Sequence, residues 1–336
     1  MKKRILFFDT VAPYEYNFDI INKSGLGASE SYLLSLANEL KKNFDVDIAG
    51  VKTNSNYIQN DIRFRHTSEL EDNYDTIIIQ RKPEYLRALK SKYPNAKFII
   101  WLHDLYERSP WPYIPNDELQ YIVDNSQIIC VSNWLKQKYL SNFESKKIKN
   151  INIDFIHFFI DDENDVSNSP VDYDKNKLSF FSAGHKGLRF TLQTFEYLLE
   201  INPKFKLYIG NPAHSDFDYQ KEINKFPKVD AIVHLKNQTR NQVLSHLKES
   251  LATLHLNKEY PETFGCVNAE SNMVGTPVCC YDLGATKEIL YKPEEQIIES
   301  NPTTKILKWY GGLRPEVKLN PIFDKPVIIK KWLSIL

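Results

Sequence analysis

The sequence predicts an α/β chain built as two tandem βαβ halves, each around a parallel sheet. Three observations predict it. Apolar, β-branched runs alternate with segments of helical period from end to end, the pattern of stacked βαβ units. At 336 residues the chain exceeds the usual size of a single hydrophobic core. The alternation is broken once, by "DDENDVSNSPVDYDKNK" (161–177), an aperiodic polar stretch with the texture of an interdomain connection. The expected division is 1–162, 163–320 and a closing segment, 321–336, with a helix packing back on the first half.

The elements follow in order. In the first half, strands read as "RILFFD" (4–9), "FDVDIAGV" (44–51), "DTIIIQ" (75–80), "KFIIWLHD" (97–104), "QIICVS" (127–132) and "IDFIHFF" (153–159). Tyr32, Leu33, Leu36, Ala37 and Leu40 share one face of a helix after the first strand, and a further helix reads at 133–143. In the second half, "LSFFSAG" (178–184) precedes a helix with Leu188, Leu192, Phe195 and Leu199 in register. "FKLYIG" (205–210), "AIVHL" (231–235), "LATLHLN" (251–257) and "PVCCYD" (277–282) read as strands, and Thr239-x-x-Gln242 as a capping box opening a helix. A helix at about 266–274 is stopped by Gly275 and Pro277.

Lys plus Arg and Asp plus Glu both number 43, so no basic excess recruits nucleic acid and the expected partners are small or neutral molecules. The opening "MKKRILFFDTV" reads as a strand, and no apolar run reaches the ~18 residues of a spanning helix, which predicts a soluble, cytoplasmic protein. Cys130, Cys266, Cys279 and Cys280 lack a CxxC pair and read as free thiols, mostly buried.

Four places carry residues suited to chemistry. "KSGLGASE" (23–30) leads a Gly-containing loop into a helix whose amides suit an anion, but Glu30 stands where a dinucleotide fingerprint needs its third Gly; the plain alternative is a Gly that only starts a helix. "WLHD" (101–104) closes an apolar strand at the edge where open sheets bind ligands; His103 there can bond a sugar hydroxyl or handle a proton, whereas His157, His234 and His255 read as core. In "SAGHKGLR" (182–189), Lys186 beside glycines lets an ammonium and main-chain amides meet a phosphate, against the plain reading of a solvated lysine. In "YPETFGCVNAESNMVGTPV" (260–278), Glu262 precedes a helix and Glu270 lies within it, with the amides of Phe264, Gly265 and Cys266 at the helix start.

These residues resemble the retaining glycosyltransferases of the GT-B fold, family four of the sequence classification, whose donor motif is E-x7-E in the form Glu-x-Phe-Gly-x4-Glu. Glu262, Phe264, Gly265 and Glu270 match it, and "NMVGTPVCCYDLGATKEIL" continues like the family's following strand and turn. "GLGASE", "WLHD", "VSNWLKQKYL" and "AGHKG" are similar to its loop in the first domain, its His, its Val-Ser helix start and its Lys-Gly phosphate loop, so the resemblance runs from about residue 4 to 290.

The resemblance implies an α/β GT-B fold, two tandem Rossmann-like domains with a donor and acceptor cleft between them. It implies a metal-independent enzyme moving a sugar, with retention, from a nucleoside-diphosphate sugar to a glycan or glycolipid-like acceptor; the nucleotide sugar is a co-substrate and no cofactor is expected. Glu270 would accept the ribose hydroxyls and Glu262, with the amides of Phe264 and Gly265, would hold the hydroxyls of the transferred sugar, the Cys266 amide facing the same donor. Lys186, with Gly184 and the Gly27 loop, would neutralise the diphosphate; His103 would contact the sugar near the reacting carbon; main chain around Leu235 to Asn237 would read the base. Asp104, Tyr106 and Trp111, in the aromatic segment "YERSPWPY" (106–113) and just before it, are candidates for stacking on or bonding the acceptor; the plain alternative for aromatics beside prolines is simple loop packing. No transmembrane segment is expected, and peripheral membrane contact is compatible with such an acceptor.

Two departures stand out. The family commonly carries an Arg shortly before the phosphate Lys; here the loop is "SAGHKG", and either Arg189 takes the second cationic role or none does. The turn closing the family's first domain appears as "HFFID" (157–161), without its Asn-Gly pair. Other readings are a GT-A enzyme using an Asp-x-Asp, formally present at 45–47, 172–174 and 216–218; a UDP-sugar epimerase; and a silent nucleotide- or glycan-binding module.

Overall fold

The structure, a computed structural model, describes residues 2–24, 26–108, 110–161, 166–168, 172–210, 217–236 and 238–336. Its contacts form two compact units: residues 1–20, Ala28–Phe158 and Pro326–Leu336 in one, and Ile21–Gly27 with Phe159–Lys325 in the other.

The first unit holds β1 (Arg4–Asp9), β2 (Asp45–Gly50), β3 (Tyr57–Gln59), β4 (Ile62–His66), β5 (Thr76–Gln80), β6 (Lys97–Leu102), β7 (Gln127–Cys130) and β8 (Ile153–Phe155). They order as β3-β4-β2-β1-β5-β6-β7-β8, parallel except for the β3–β4 pair. The helices are α1 (Phe18–Ser24), α2 (Ala28–Leu40), α3 (Leu86–Lys92), α4 (Asn116–Asn125) and α5 (Asn133–Ser145). Every residue of β5 is buried, as befits a central strand covered on both faces. Each fully buried Ile there contributes roughly 1.5–3 kcal/mol. The expected apolar stripe of α2 is buried, and Ser132 caps α5 by accepting from the Leu135 amide.

The β3–β4 hairpin was not foreseen. Its two-residue turn, Asn60-Asp61, has both residues at positive φ, the geometry that matches strand twist, but the strands are too short and mixed to show a period. Several strands end sooner than expected: β6 stops before His103, β7 at Cys130, and β8 before the buried run Ile156–Ile160.

The second unit holds β9 (Asp174–Phe180), β10 (Lys206–Gly210), β11 (Ile232–Leu235), β12 (Ser250–His255) and β13 (Val278–Cys280), all parallel in the order β11-β10-β9-β12-β13. Around them run α6 (Leu188–Ile201), α7 (Tyr219–Ile223), α8 (Arg240–Lys248), α9 (Cys266–Met273), α10 (Thr286–Ile289), α11 (Pro293–Gln296) and α12 (Pro302–Lys308). The capping box of Thr239 and Gln242 is formed at α8. A last helix, α13 (Lys325–Ile335), contributes Trp332, fully buried against Trp101 in the first unit's core.

The polar connection is shorter than its composition indicates, because β9 begins at Asp174. The Asp174 amide donates to the Glu249 carbonyl, and Lys177, buried within the strand, is held by Glu249 and lies over the Tyr208 ring. Backbone pairing recruits these residues into a strand whatever their polarity. Among the described residues no helix is long and apolar enough to cross a membrane. The cysteines are free; Cys130, Cys279 and Cys280 are buried and Cys266 is half-buried.

Candidate active site

In the second sheet, β9 and β12 are adjacent, while β10 lies beyond β9 and β13 beyond β12. The chain order therefore reverses between β9 and β12, and the crevice outside their carboxyl ends is where open α/β sheets bind ligands. The loop after β9 carries Gly184 and Lys186; the loop after β12 carries Glu262.

Glycines bring these loops together. Gly187, the N-cap of α6, has φ +100°, and a Cβ on it would lie 2.7 Å from the Leu256 carbonyl carbon. Only Gly permits that approach, which sets Lys186 beside the β12 loop. Gly284, at φ +75°, packs on the main chain of Glu262: its Cβ would lie 2.3 Å from the Glu262 carbonyl oxygen, which accepts from the Ala285 amide at 2.7 Å. Gly184 is buried under the Phe217 ring, where a Cβ would collide.

Glu262 is 5% exposed, and Lys186 Nζ donates to its Oε2 at 2.8 Å. On its other side, His255 Nε2 stands 3.2 Å from Oε1, close enough to act on the charge though not aligned as a hydrogen bond. The His255 ring is held from behind by Asn268 Oδ1, 2.7 Å from Nδ1. Burial pushes the Glu262 carboxyl up; Lys186 and His255 outweigh it and hold Glu262 well below the ordinary carboxylate range. It is a fixed anion at any pH near neutrality.

Gly265 caps α9 in the left-handed region, at φ +87°; the Asn268 amide donates to the Gly265 carbonyl at 3.0 Å, which leaves the amides of Cys266 and Val267 for a ligand at the helix start. The Phe264 ring is buried against Phe323, so a contact from this residue would come from its main chain. Glu270, in the middle of α9, accepts from Arg240 Nε at 2.7 Å. Glu262 and Glu270 thus have separate cations. All four charges act on Cys266: burial, then Glu270 and Glu262, push its thiol far up, against Arg240 and Lys186.

Arg189 is exposed on α6 and makes no ion pair among the described residues. Arg240 escaped the sequence reading, its only cue being its place just after the capping box. His255 was read as core; it is buried, but at the carboxyl end of β12 beside Glu262, the same strand-end signal that singled out His103. His234 is half-buried on the edge strand β11 and is not core.

In the first unit, His103 follows β6 and packs its ring on Trp101 and Phe158. Among the described residues neither ring nitrogen has a hydrogen-bond partner, and burial, then Arg81, hold the imidazole neutral, its pKa well below the usual value. Gly27 directly precedes α2, whose Glu30 accepts from Arg81 at 2.7 Å. Asp104 is half-buried and its carbonyl accepts from Tyr139. Tyr106 and Trp111 correct the expectation of stacking surfaces: they are 4% and 0% exposed, packed edge-on against Tyr139. The prolines that read as a surface loop instead fold the segment inward; Tyr113, 86% exposed, is the aromatic left outside.

Asn237, Gly25 and Asp216 lie outside the described residues. Of the Asp-x-Asp matches, Asp47 is fully buried and bound by Arg63, Arg65 and Tyr74, which leaves nothing for a metal. Among the described residues no group of three His, Cys, Asp or Glu side chains could hold a metal ion.

This architecture, two Rossmann-like units with mostly parallel sheets, is the GT-B fold of glycosyltransferases. Within that class, residues 168–308, in the second unit, match the family model described as Glycosyl transferases group 1. The chain is similar to the Anabaena protein Alr3699/HepE, solved with UDP and glucose, at 16% identity and a TM-score of 0.69, over 100% of this chain and 99% of that one. It is similar to a glycosyltransferase from Rickettsia africae (16% identity, TM-score 0.67, 99% and 97% covered). Sucrose-phosphate synthase from Thermosynechococcus elongatus gives 13% identity and a TM-score of 0.65, with 99% and 98% covered. At these identities the likeness is one of fold. No curated protein matches the sequence.

Proposed function

We propose that the protein is a glycosyltransferase that moves a sugar from a nucleoside-diphosphate sugar to a glycan or glycolipid-like acceptor, with retention of configuration and without a metal. The observation that carries this reading is the pairing of Lys186 with the buried Glu262 at the switch point of the second sheet, beside the α9 N-terminus and inside the stretch matched by the family model.

The chemistry follows from the charges. A departing nucleoside diphosphate needs a cation and oriented amides where its negative charge develops; Lys186 and the first turn of α9 supply them. Glu262 holds Lys186 in place and, as a permanent anion, accepts hydrogen bonds from hydroxyls of the transferred sugar. Glu270 accepts the ribose hydroxyls. His103, neutral and with both ring nitrogens unpaired among the described residues, suits a hydrogen bond to the sugar and not a positive charge. Acceptor recognition belongs to the first unit, and the burial of Tyr106 and Trp111 leaves Asp104 as the better candidate among the residues named.

UDP is the first donor nucleotide to try, since a similar structure holds it. The test is incubation of the protein with UDP-sugars and acceptor glycans in excess EDTA, following the anomeric proton of the product by NMR. Transfer with the donor's configuration is the expected result; an inverted product, a strict metal requirement, or an epimerised donor without transfer would each refute the corresponding part of the proposal.

A further inference from the structure

We infer that Arg240 is a positioning residue for the ribose end of the donor site: it fixes the carboxylate of Glu270 so that one oxygen is presented to the nucleotide's hydroxyls. The inference rests on the reading of Glu270 as the ribose acceptor.

Arg240 is the first residue of α8, and the Thr239–Gln242 capping box fixes where that helix starts. Its guanidinium is bound at two separated points: Nε donates to Glu270 Oε1 at 2.7 Å and Nη2 donates to the Asp161 carbonyl at 2.7 Å. Asp161 is itself held, its carboxylate paired with Lys325. A planar guanidinium gripped at two points cannot swing, so the Glu270 oxygen it binds is held in one place. Oε2 of Glu270 meets no donor among the described residues, and the side chain keeps 15% of its surface exposed. One oxygen is anchored and the other is presented. Lysine in this place, a compact ammonium on a flexible stem, lacks the rigid planar fork that fixes both acceptors.

A positioning role separates from a merely structural one by ligand. UDP and its 2′,3′-dideoxy analogue are titrated calorimetrically into the wild type, Arg240→Gln, Arg240→Lys, Glu270→Gln and the Arg240→Gln/Glu270→Gln double variant. The wild type should prefer UDP over the dideoxy analogue. Arg240→Gln should lose about tenfold in UDP affinity while binding the analogue as the wild type does. Arg240→Lys should fall between, and the double variant should be no worse than Glu270→Gln, since both changes remove one interaction. If Arg240→Gln weakens both ligands equally, or the two losses add fully, the inference is overturned. If the wild type and Glu270→Gln both ignore the missing hydroxyls, it is the ribose reading that fails. Arg240→Lys keeps the test alive should the Gln variant not fold.

Discussion

Glu262 and Glu270 carry the same charge and sit on one loop-to-helix junction, yet their settings assign them different tasks. Glu262 is buried, bound by Lys186 and flanked by His255; Glu270 is partly exposed and bound by Arg240. Substituting Glu270→Gln should weaken nucleoside-diphosphate binding, whereas Glu262→Gln should leave that binding within about threefold and depress transfer by about 10²–10³, as loss of a fixed electrostatic group does. Steady-state kinetics beside calorimetry decides it, and identical effects from both changes would remove the division of labour. At this scale the sequence was legible where spacing is local, since the two acids, Phe264 and Gly265 share one short motif. Lys186 was legible from its glycines. His255 and Arg240 were not, because their importance comes from neighbours 7 and 30 positions away that only the fold brings near.

The helices and loops that hold the site depend on backbone positions more than on side chains. Gly187 and Gly284 both have positive φ, and each lies where a Cβ would press on main chain, not on a side chain that could turn aside. Gly284→Ala should therefore destabilise the protein by more than the ~1 kcal/mol of the left-handed conformation alone, and Gly187→Ala likewise. Gly311→Ala, with nothing near its Cβ, is the control and should change little. Urea unfolding checks this; a Gly284→Ala midpoint equal to the wild type would show that the approach to Glu262 is not tight. Element type was readable wherever the period ran long, as in α2 and α6, or where a strand was wholly apolar, as in β5. It was not readable for β3 and β4, nor for the start of β9, where ladder bonds override polar composition.

For the molecule as a whole, one buried imidazole, His103, and two half-buried ones, His234 and His246, set the response to acid. His103 has its pKa lowered, chiefly by burial, and His234 and His246 shift the same way. The unfolded chain binds protons at the ordinary histidine value, about 6.5, before the folded one does, so stability present above that pH is lost as pH falls below it. Glu262 has the opposite chemistry but also a lowered pKa, so its contribution is intact above the ordinary carboxylate value and is lost only in stronger acid. Unfolding free energy should be flat from about pH 8 to 7 and decline towards pH 5, with His103→Gln declining less; equal slopes would show that His103 is not held neutral by the fold. At this scale the two-half α/β plan was plain in the alternation of elements. The grouping of Ile21–Gly27 with the second unit was not, because seven residues of helix and loop carry no sign of where they pack.

The central claim is that Lys186, poised on Glu262 at the switch point of the second sheet, receives the diphosphate of a nucleotide sugar. The most direct test is calorimetric titration of UDP into the wild type and Lys186→Ala, both in EDTA. Loss of one charge-assisted contact predicts binding by the wild type without metal and a drop of about ten- to a hundredfold in the variant. UDP affinity unchanged by the substitution, in a variant that remains folded, would contradict the claim.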